Sequence, residues 1–306
     1  MEQITNIIMM VRPVSFGYNE ETAKNNSFQT PPTASEELIK QQAIVEFDQF
    51  VAKLKESGVD VMVIEDSLTH LKPDAVFPNN WISLHENGLI ITYPMFSPLR
   101  RKERRKGILE ILKNKFQLQG RIHLEGAEVD ELFLEGTGSM ILDRKNKIVY
   151  ANRSIRTNEK LLKIWANIMD YRMVLFDAFD QNGDSIYHTN VLMSLGTDFC
   201  VICLDAIPDS EEKKSLIDSL HQTKKEIIEI SLDQMNKFAG NMLQVKGKDN
   251  NTFLAMSLQA FNSLNPNQLS QITKHTTPLY ADLNTIETYG GGSARCMMAE
   301  IFLEKV

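Results

Sequence analysis

The sequence predicts an α/β protein made of repeated units, and two observations support this prediction. Along its 306 residues, short apolar segments typical of strands alternate with segments whose apolar residues recur at helical spacing. In addition, five clusters of small or polar residues are each followed directly by a short apolar segment: PNNWISL (78–84), GTGSMIL (136–142), HTNVLMSL (188–195), AGNMLQV (239–245) and SARCMMAEIF (293–302). Their spacing, roughly 50 to 60 residues, is in the upper range of blade or repeat architectures, which gather the loop ends of their strands around one central cavity. The alternative is that any α/β protein contains several such junctions.

The first long element is predicted to be a helix from Glu36 to Ser57. Thr33 and Glu36 have the spacing of a capping box, and Gly58 is a typical C-terminal stop. The apolar residues of its buried face are Ile39, Ala43, Phe47, Val51 and Leu54. The apolar segment VDVMVIE (59–65) is then predicted to be a strand.

Three further helices are predicted, each followed by a strand. The first begins at Ser97 and runs to about Phe116, the second begins at Thr157 and the third at Asp209. The segment from residue 10 to 29 is expected to contribute a strand and part of a pocket wall. Because no Pro-, Gly- or Ser-rich linker divides the chain, residues 1–306 are predicted to form a single catalytic domain.

Composition excludes several classes of protein. With 42% hydrophobic residues the chain can bury a sizeable core, and its net charge of −7 disfavours nucleic acid and anionic membranes as partners. The basic run LRRKERRKG (99–107) has no interleaved aromatic residue, so it is predicted to be a solvated helix face. No apolar run approaches the roughly 20 residues of a membrane-spanning helix. The odd number of cysteines, three, indicates a reducing and therefore cytoplasmic compartment.

Cys296 is the candidate nucleophile. It follows three glycines in YGGGSARCMMAEIF, where the backbone can approach a ligand closely, and the neighbouring charge of Arg295 favours a thiolate. The alternative is a buried cysteine that acts as a small apolar residue. Cys200 and Cys203, in FCVICLD, are predicted to belong to a buried strand rather than to a metal or redox site, and no metal is expected.

His188 and Glu135 are candidates for acid–base chemistry because each stands at one of the five junctions. His188 heads HTNVLMSL, where a general base would reach a substrate, and Glu135 precedes the glycine-rich turn of LEGTGSM. The alternatives are a structural histidine and a solvated loop acid.

Several motifs together resemble the guanidino-group-modifying enzymes, which include arginine deiminases, dimethylarginine hydrolases and amidinotransferases. The segments that carry the resemblance are GGGSARCMM, VFPNNW, LEGTGSM, NRSIRTN, YHTNVLM and FAGNMLQV. The resemblance implies a pentein-type α/β propeller of five ββαβ units around a central active-site channel. It also implies Cys296 as nucleophile, His188 as general acid and base, Glu135 as the carboxylate partner and Arg156 as the binder of the substrate α-carboxylate.

The chain departs from the resembled family at two positions, Asn80 and Asn190, where guanidine-binding relatives usually have aspartates. An amide can donate to a carbonyl oxygen, whereas a carboxylate suits a cationic guanidinium. The predicted substrate is therefore L-citrulline, bound also by Phe77 and Asn79, and the motifs look most like the citrulline ureidase branch. The alternative is that Asn80 and Asn190 do not touch the substrate and that acids such as Asp74 or Asp184 bind a guanidinium.

The resemblance implies hydrolysis of citrulline to ornithine, carbon dioxide and ammonia through an S-carbamoyl cysteine, with no cofactor. Two other functions stay open: an arginine or methylarginine deiminase, and a catalytically silent amino-acid-binding propeller. The expected partner is a small amino acid, and the sequence leaves a homo-oligomer open.

Overall fold

Five three-stranded sheets form the framework of the protein, as described for residues 2–306 by a computed structural model. The fifteen strands are β1 Ile7–Arg12, β2 Asp60–Glu65, β3 Ile82–Leu84, β4 Leu89–Thr92, β5 Gly120–His123, β6 Ile141–Asp143, β7 Ile148–Asn152, β8 Arg172–Phe176, β9 Met193–Leu195, β10 Phe199–Ile202, β11 Glu226–Glu229, β12 Leu243–Lys246, β13 Thr252–Ser257, β14 Thr277–Ala281 and β15 Ala299–Glu300.

Every sheet has the same construction. The central strand pairs antiparallel with one neighbour and parallel with the other, and helical segments lie in the crossover to the parallel strand. A parallel pair requires such a crossover because its two strands run in the same direction. The sheet that contains both chain ends places β1 between β15, which is antiparallel to it, and β2, which is parallel to it. The last strand of the chain therefore completes the first unit and closes the ring.

Twelve α-helices within residues 2–306 connect and flank the strands. They are α1 Glu20–Ala23, α2 Glu36–Glu56, α3 Pro98–Arg101, α4 Lys106–Lys115, α5 Gly136–Ser139, α6 Glu159–Met169, α7 Thr189–Leu192, α8 Ser210–Gln222, α9 Leu232–Met235, α10 Leu258–Ser263, α11 Pro266–Thr273 and α12 Asn284–Gly290.

The predicted first helix is confirmed as α2, with a different cap. Ser35 Oγ accepts a hydrogen bond from the Leu38 N–H, whereas Thr33 lies outside the helix and its hydroxyl contacts that of Tyr289. The predicted capping box is therefore wrong, because Ser35 is itself a good capping residue one position before Glu36. Gly58 ends the helix at a φ of 86°, as expected.

The other predicted helices are confirmed with changes at their boundaries. The helix predicted from Ser97 divides into α3 and α4, α6 begins at Glu159 with Asn158 as its cap, and Asp209 caps α8. The basic run is wrongly predicted to be solvated throughout, since Arg100 and Glu103 are both buried. They pair with each other, which offsets the cost of removing their charges from water.

Each of the five polar clusters precedes the strand that pairs antiparallel with the centre of its sheet, namely β3, β6, β9, β12 and β15. Their ends meet inside the ring: the Thr189 hydroxyl donates to the Ser139 carbonyl at 2.6 Å, and the Asn241 amide donates to the Asn190 carbonyl at 2.8 Å. The predicted convergence of the junctions is therefore confirmed.

The apolar core lies between the sheets and the flanking helices. Cys200 belongs to β10 and Cys203 follows its last residue, and both are buried free thiols whose pKa burial raises. None of the helices in the described residues is both long and apolar enough to span a bilayer.

Candidate active site

Cys296 lies at the inner end of the last junction, beside amides from two other junctions. Its sulfur accepts hydrogen bonds from Asn190 Nδ2 at 3.3 Å and Asn241 Nδ2 at 3.2 Å. The Arg295 backbone N–H donates to Asn241 Oδ1 at 3.0 Å, which holds the amide with its nitrogen toward the sulfur. Two amide donors thus converge on one sulfur, and because hydrogen bonds to a charged acceptor are stronger than those to a neutral one, they stabilise negative charge that develops on it during attack.

The Arg295 guanidinium makes its hydrogen bonds with groups other than the Cys296 sulfur. Its guanidinium donates to Glu300 at 2.9 Å and to the Met298 carbonyl at 2.8 Å. Glu300, which Arg144 also approaches at 3.5 Å, thus holds the Arg295 guanidinium, whereas the amides of Asn190 and Asn241 are the side-chain groups that contact the sulfur. Asn241 is not among the predicted site residues, although the FAGNMLQV segment that contains it is one of the motifs that carry the resemblance.

His188 and Glu135 form a buried pair in which His188 Nε2 lies 2.9 Å from Glu135 Oε2. Burial lowers the pKa of His188 to about 4, although Glu135 opposes the shift. For Glu135, burial alone would raise the pKa, but Arg156, His188 and Arg100 together lower it to about 2. A carboxylate facing a neutral imidazole accepts its N–H, so Nε2 carries the proton and Nδ1 is left as the basic nitrogen.

Asn80 lies in the same site with its amide orientation determined by Arg100. Arg100 Nη1 donates to Asn80 Oδ1 at 2.8 Å, and since a guanidinium has no acceptor, the oxygen must face it. Asn80 Nδ2 is buried and has no hydrogen-bond partner among the described residues. A Cβ at Gly138 would lie 2.4 Å from that Nδ2 and 2.8 Å from His188 Nδ1, so only glycine leaves room for both groups.

Arg156 is buried beside Glu135, and its Nη1 lies 3.7 Å from Glu135 Oε2. Its guanidinium stacks on the Tyr187 ring at 4.8 Å and donates to Asn25 Oδ1 and to the Thr22 carbonyl. The side chain of Asn25 thus occupies the donor fork that the resemblance assigns to a substrate carboxylate.

The segment around α1 covers the site. Asn19 Nδ2 donates to Asp74 Oδ2 at 2.7 Å, and Asn26 Nδ2 donates to the Gly291 carbonyl at 3.2 Å. Gly291 has a φ of 63°, and a Cβ there would lie 2.4 Å from Asn26 Nδ2, so this contact requires glycine. The expectation that the N-terminal segment forms a strand and a pocket wall is confirmed.

The cavity between these groups has a volume of about 20 Å³. Its lining includes Cys296, His188, Asn80, Phe77, Arg100, Arg156, Asp74, Thr22, Asn26, Tyr187 and glycines 290 to 292. This volume holds about one water molecule, so a free amino acid enters only if the cover moves. A larger cavity of about 360 Å³, lined in part by Asn26 and Tyr187, adjoins it.

The structure brings together seven of the eight predicted site residues. Five of the seven line the cavity, and Glu135 and Asn190 contact His188 and Cys296 there. Asn79 does neither, and its Nδ2 donates to the Thr137 hydroxyl at 3.3 Å. Of the two alternative acids, Asp74 lines the cavity, whereas Asp184 is exposed and lines the larger one. Arg100 is not among the predicted site residues, because a basic run on a helix is typical of a solvated face.

A family sequence model described as "N,N dimethylarginine dimethylhydrolase, eukaryotic" matches residues 12–303. No curated protein sequence matches the chain at a significant level.

Solved structures with the same fold include three informative examples. The first is apo ArgZ, an arginine dihydrolase from the ornithine–ammonia cycle in cyanobacteria, with a TM-score of 0.75 and 17% identity over 97% of this chain and 40% of that chain. The second is the substrate-bound N-terminal domain of ArgZ, with a TM-score of 0.74 and 17% identity over 97% of this chain and 99% of that chain. The third is a dimethylarginine dimethylaminohydrolase variant in an adduct with S-methyl-L-thiocitrulline, with a TM-score of 0.67 and 13% identity over 97% of this chain and all 100% of that chain. This chain therefore spans less than half of the full-length ArgZ, and at these identities the likeness concerns the fold, which is the predicted pentein propeller.

Proposed function

Since the chain belongs to the N,N-dimethylarginine dimethylhydrolase family, within the guanidino-group-modifying superfamily that its motifs resemble, we propose that it is a cysteine-dependent hydrolase of a C–N bond. Its preferred substrate is L-citrulline. Water and citrulline give ornithine, carbon dioxide and ammonia.

The observation that carries this proposal is the orientation of the Asn80 amide. Arg100 occupies its oxygen, so the Asn80 atom left without a partner among residues 2–306 is the buried Nδ2 donor. A ureido head has a carbonyl oxygen that accepts from this donor, whereas a guanidinium has only N–H groups and would meet it donor against donor. A buried donor without a partner costs about 1–3 kcal/mol, so Asn80 favours citrulline over arginine.

Arginine side chains of the protein already contact the acids around the cavity. Asp74, Glu103 and Glu135 each lie within 4.0 Å of Arg100, at 3.8, 2.8 and 4.0 Å, and Arg156 adds a second cation beside Glu135. Three carboxylates therefore share two guanidiniums, and a cationic head would have to compete with Arg100 and Arg156 for them. A neutral ureido group makes no such demand.

The chemistry follows from the positions of Cys296 and His188 on one cavity. The Cys296 proton passes to His188 Nδ1, and the sulfur attacks the ureido carbon while Asn80 stabilises charge on the ureido oxygen. The imidazolium, held by Glu135, then protonates the ornithine nitrogen as the C–N bond breaks, which leaves an S-carbamoyl cysteine. His188 next takes a proton from water, whose oxygen attacks the carbamoyl carbon; the C–S bond then breaks, and the sulfur recovers the proton from His188. The released carbamate decomposes to carbon dioxide and ammonia.

Arginine is the second candidate substrate, because Asp74 lines the cavity and its buried Oδ1 has no hydrogen-bond partner within residues 2–306. A guanidinium could donate to that oxygen. Burial raises the pKa of Asp74, although Arg100 opposes this, so the carboxylate is less strongly acidic than an exposed one. The structural neighbour ArgZ is an arginine dihydrolase.

A product assay separates the two substrates. The protein is incubated with L-citrulline, L-arginine and NG-methylarginine in turn, and ornithine, citrulline and ammonia are quantified. We expect ornithine and ammonia in equal amounts from citrulline, with slower turnover of arginine. Faster release of citrulline or ornithine from arginine than of ornithine from citrulline would contradict the proposal.

A further inference from the structure

We propose that Glu103 is a positioning residue for substrate selection: it holds the Arg100 guanidinium so that Arg100 determines which end of the Asn80 amide faces the substrate. This inference rests on the proposed citrulline hydrolase function. Glu103 does not line the cavity, and its side chain reaches the site through Arg100.

The contact between Glu103 and Arg100 is bidentate. Glu103 Oε1 accepts from Arg100 Nε at 2.8 Å, and Glu103 Oε2 accepts from Arg100 Nη2 at 3.1 Å. Nη2 also donates to the Phe77 carbonyl at 3.1 Å. Both charged side chains are at most 3% exposed, so water does not compete for these bonds. Two parallel bonds fix the plane of the guanidinium as well as its position.

With the plane fixed, Nη1 points to Asn80 Oδ1 at 2.8 Å. A reversed amide would place its NH₂ group against Nη1, donor against donor, and leave Nη1 without an acceptor. The Glu103 clamp therefore selects one of the two amide orientations, and it is the orientation that presents a donor to the substrate.

Without the clamp, two other carboxylates compete for Arg100. Asp74 Oδ2 lies 3.8 Å from Nε, and Glu135 Oε2 lies 4.0 Å from Nη1. A guanidinium that turns toward them releases Asn80, whose oxygen can then face the cavity and accept from a guanidinium substrate. Loss of the clamp should therefore weaken discrimination between citrulline and arginine, and not turnover alone.

The test is Glu103→Gln, which keeps the side-chain shape but replaces one acceptor by a donor facing Arg100. We expect the citrulline-to-arginine ratio of kcat/KM to fall about tenfold or more, as for one lost hydrogen bond to a charged group. Glu128→Gln is the matched control: Glu128 also pairs with an arginine, Arg104 at 2.7 Å, but away from the cavity. The control should leave the ratio unchanged.

A double-mutant cycle distinguishes positioning from general destabilisation. If Glu103 acts through Asn80, then Glu103→Gln leaves the substrate ratio unchanged in an Asn80→Ser background. Equal loss of kcat/KM for both substrates, or the same drop of the ratio in both backgrounds, would overturn the inference. If the glutamine variant does not fold, Glu103→Asp takes its place in the test. It keeps the charge on a shorter side chain and should give a smaller drop of the substrate ratio.

Binding measurements separate failure of this inference from failure of the proposed function. In a Cys296→Ser background, calorimetry gives the dissociation constants of citrulline and arginine without turnover. If the Cys296→Ser protein binds citrulline more tightly than arginine but the parent protein releases no ornithine from citrulline, the proposed reaction is refuted. An unchanged affinity ratio after Glu103→Gln refutes the positioning role, whatever reaction the protein catalyses.

Discussion

Replacing Asn80 by aspartate tests the basis of the citrulline preference directly. Asn80→Asp keeps the size and shape of the side chain. One carboxylate oxygen can retain the 2.8 Å bond from Arg100 Nη1, while the other takes the place of the unpartnered Nδ2. The substitution therefore exchanges a free donor in the cavity for a charged acceptor, with little change in packing.

The expected magnitude follows from the two opposite effects. Citrulline loses a hydrogen bond and places its ureido oxygen against a carboxylate oxygen, which costs about 1–3 kcal/mol. Arginine gains a charge-assisted hydrogen bond, worth about 1.5–3 kcal/mol. Because both effects act on the ratio, the citrulline-to-arginine preference should fall by about 10²- to 10⁴-fold.

The assay is kcat/KM for each amino acid, with the products identified. Asn158→Asp is the control for added negative charge, because Asn158 caps α6 and aspartate caps equally well. A ratio that changes less than about threefold, well below the effect of one hydrogen bond, would refute the assignment of Asn80 to the substrate head. It would leave Asp74 as the better candidate.

Three further predictions concern the nucleophile, its donors and a buried acid. Cys296→Ser should lower kcat by at least about 10³-fold, because the weaker nucleophile removes the covalent step, and mass spectrometry should find no S-carbamoyl adduct; an unchanged kcat would disprove the covalent route. Asn241→Ala should lower kcat about 10- to 100-fold, as for one lost charge-assisted donor, and should slow alkylation of Cys296 by iodoacetamide at neutral pH, whereas faster alkylation would contradict the thiolate role of the amide. Burial raises the pKa of Glu287 to about 7. The folded protein therefore holds the neutral carboxyl, whose contribution to the free energy of unfolding is complete below the unfolded-state pKa of 4.5 and is lost as pH rises through 7. The difference in free energy of unfolding between Glu287→Gln and the parent protein, measured by urea unfolding, should therefore grow by about 3 kcal/mol in favour of the variant from pH 5 to pH 8. An equal difference at both pH values would show that the carboxyl does not titrate as expected.

Much of the architecture is predictable from local pattern. Each polar cluster precedes the antiparallel edge strand of one sheet, because the same chemical requirement recurs in every unit. Where such a strand begins at the crowded centre, the residues must be small or polar. Helices α2 and α8 follow from apolar spacing and good capping residues. The errors at Thr33 and in the segment after Ser97 arise where two capping or turn signals stand within a few residues and only packing chooses between them.

The identity of the candidate catalytic groups was also accessible from sequence, since cysteine, histidine and glutamate stand at junctions whose motifs resemble a known superfamily. Their electrostatic surroundings were not. Arg295 is adjacent to Cys296 in sequence, yet its guanidinium pairs with Glu300. The sulfur is instead contacted by Asn190 and Asn241, which are 106 and 55 positions away along the chain.

The sequence by itself determined the repeat, the candidate nucleophile and the presence of amides where the resembled family usually has acids. Tertiary structure alone decided which atom of Asn80 faces the cavity, because that depends on Arg100, a residue of a basic run that sequence reading assigned to solvent. An amide has a donor end and an acceptor end of nearly equal size, so its residue type leaves the orientation undetermined. Only a neighbour that can do nothing but donate, held in place by a buried carboxylate, determines it.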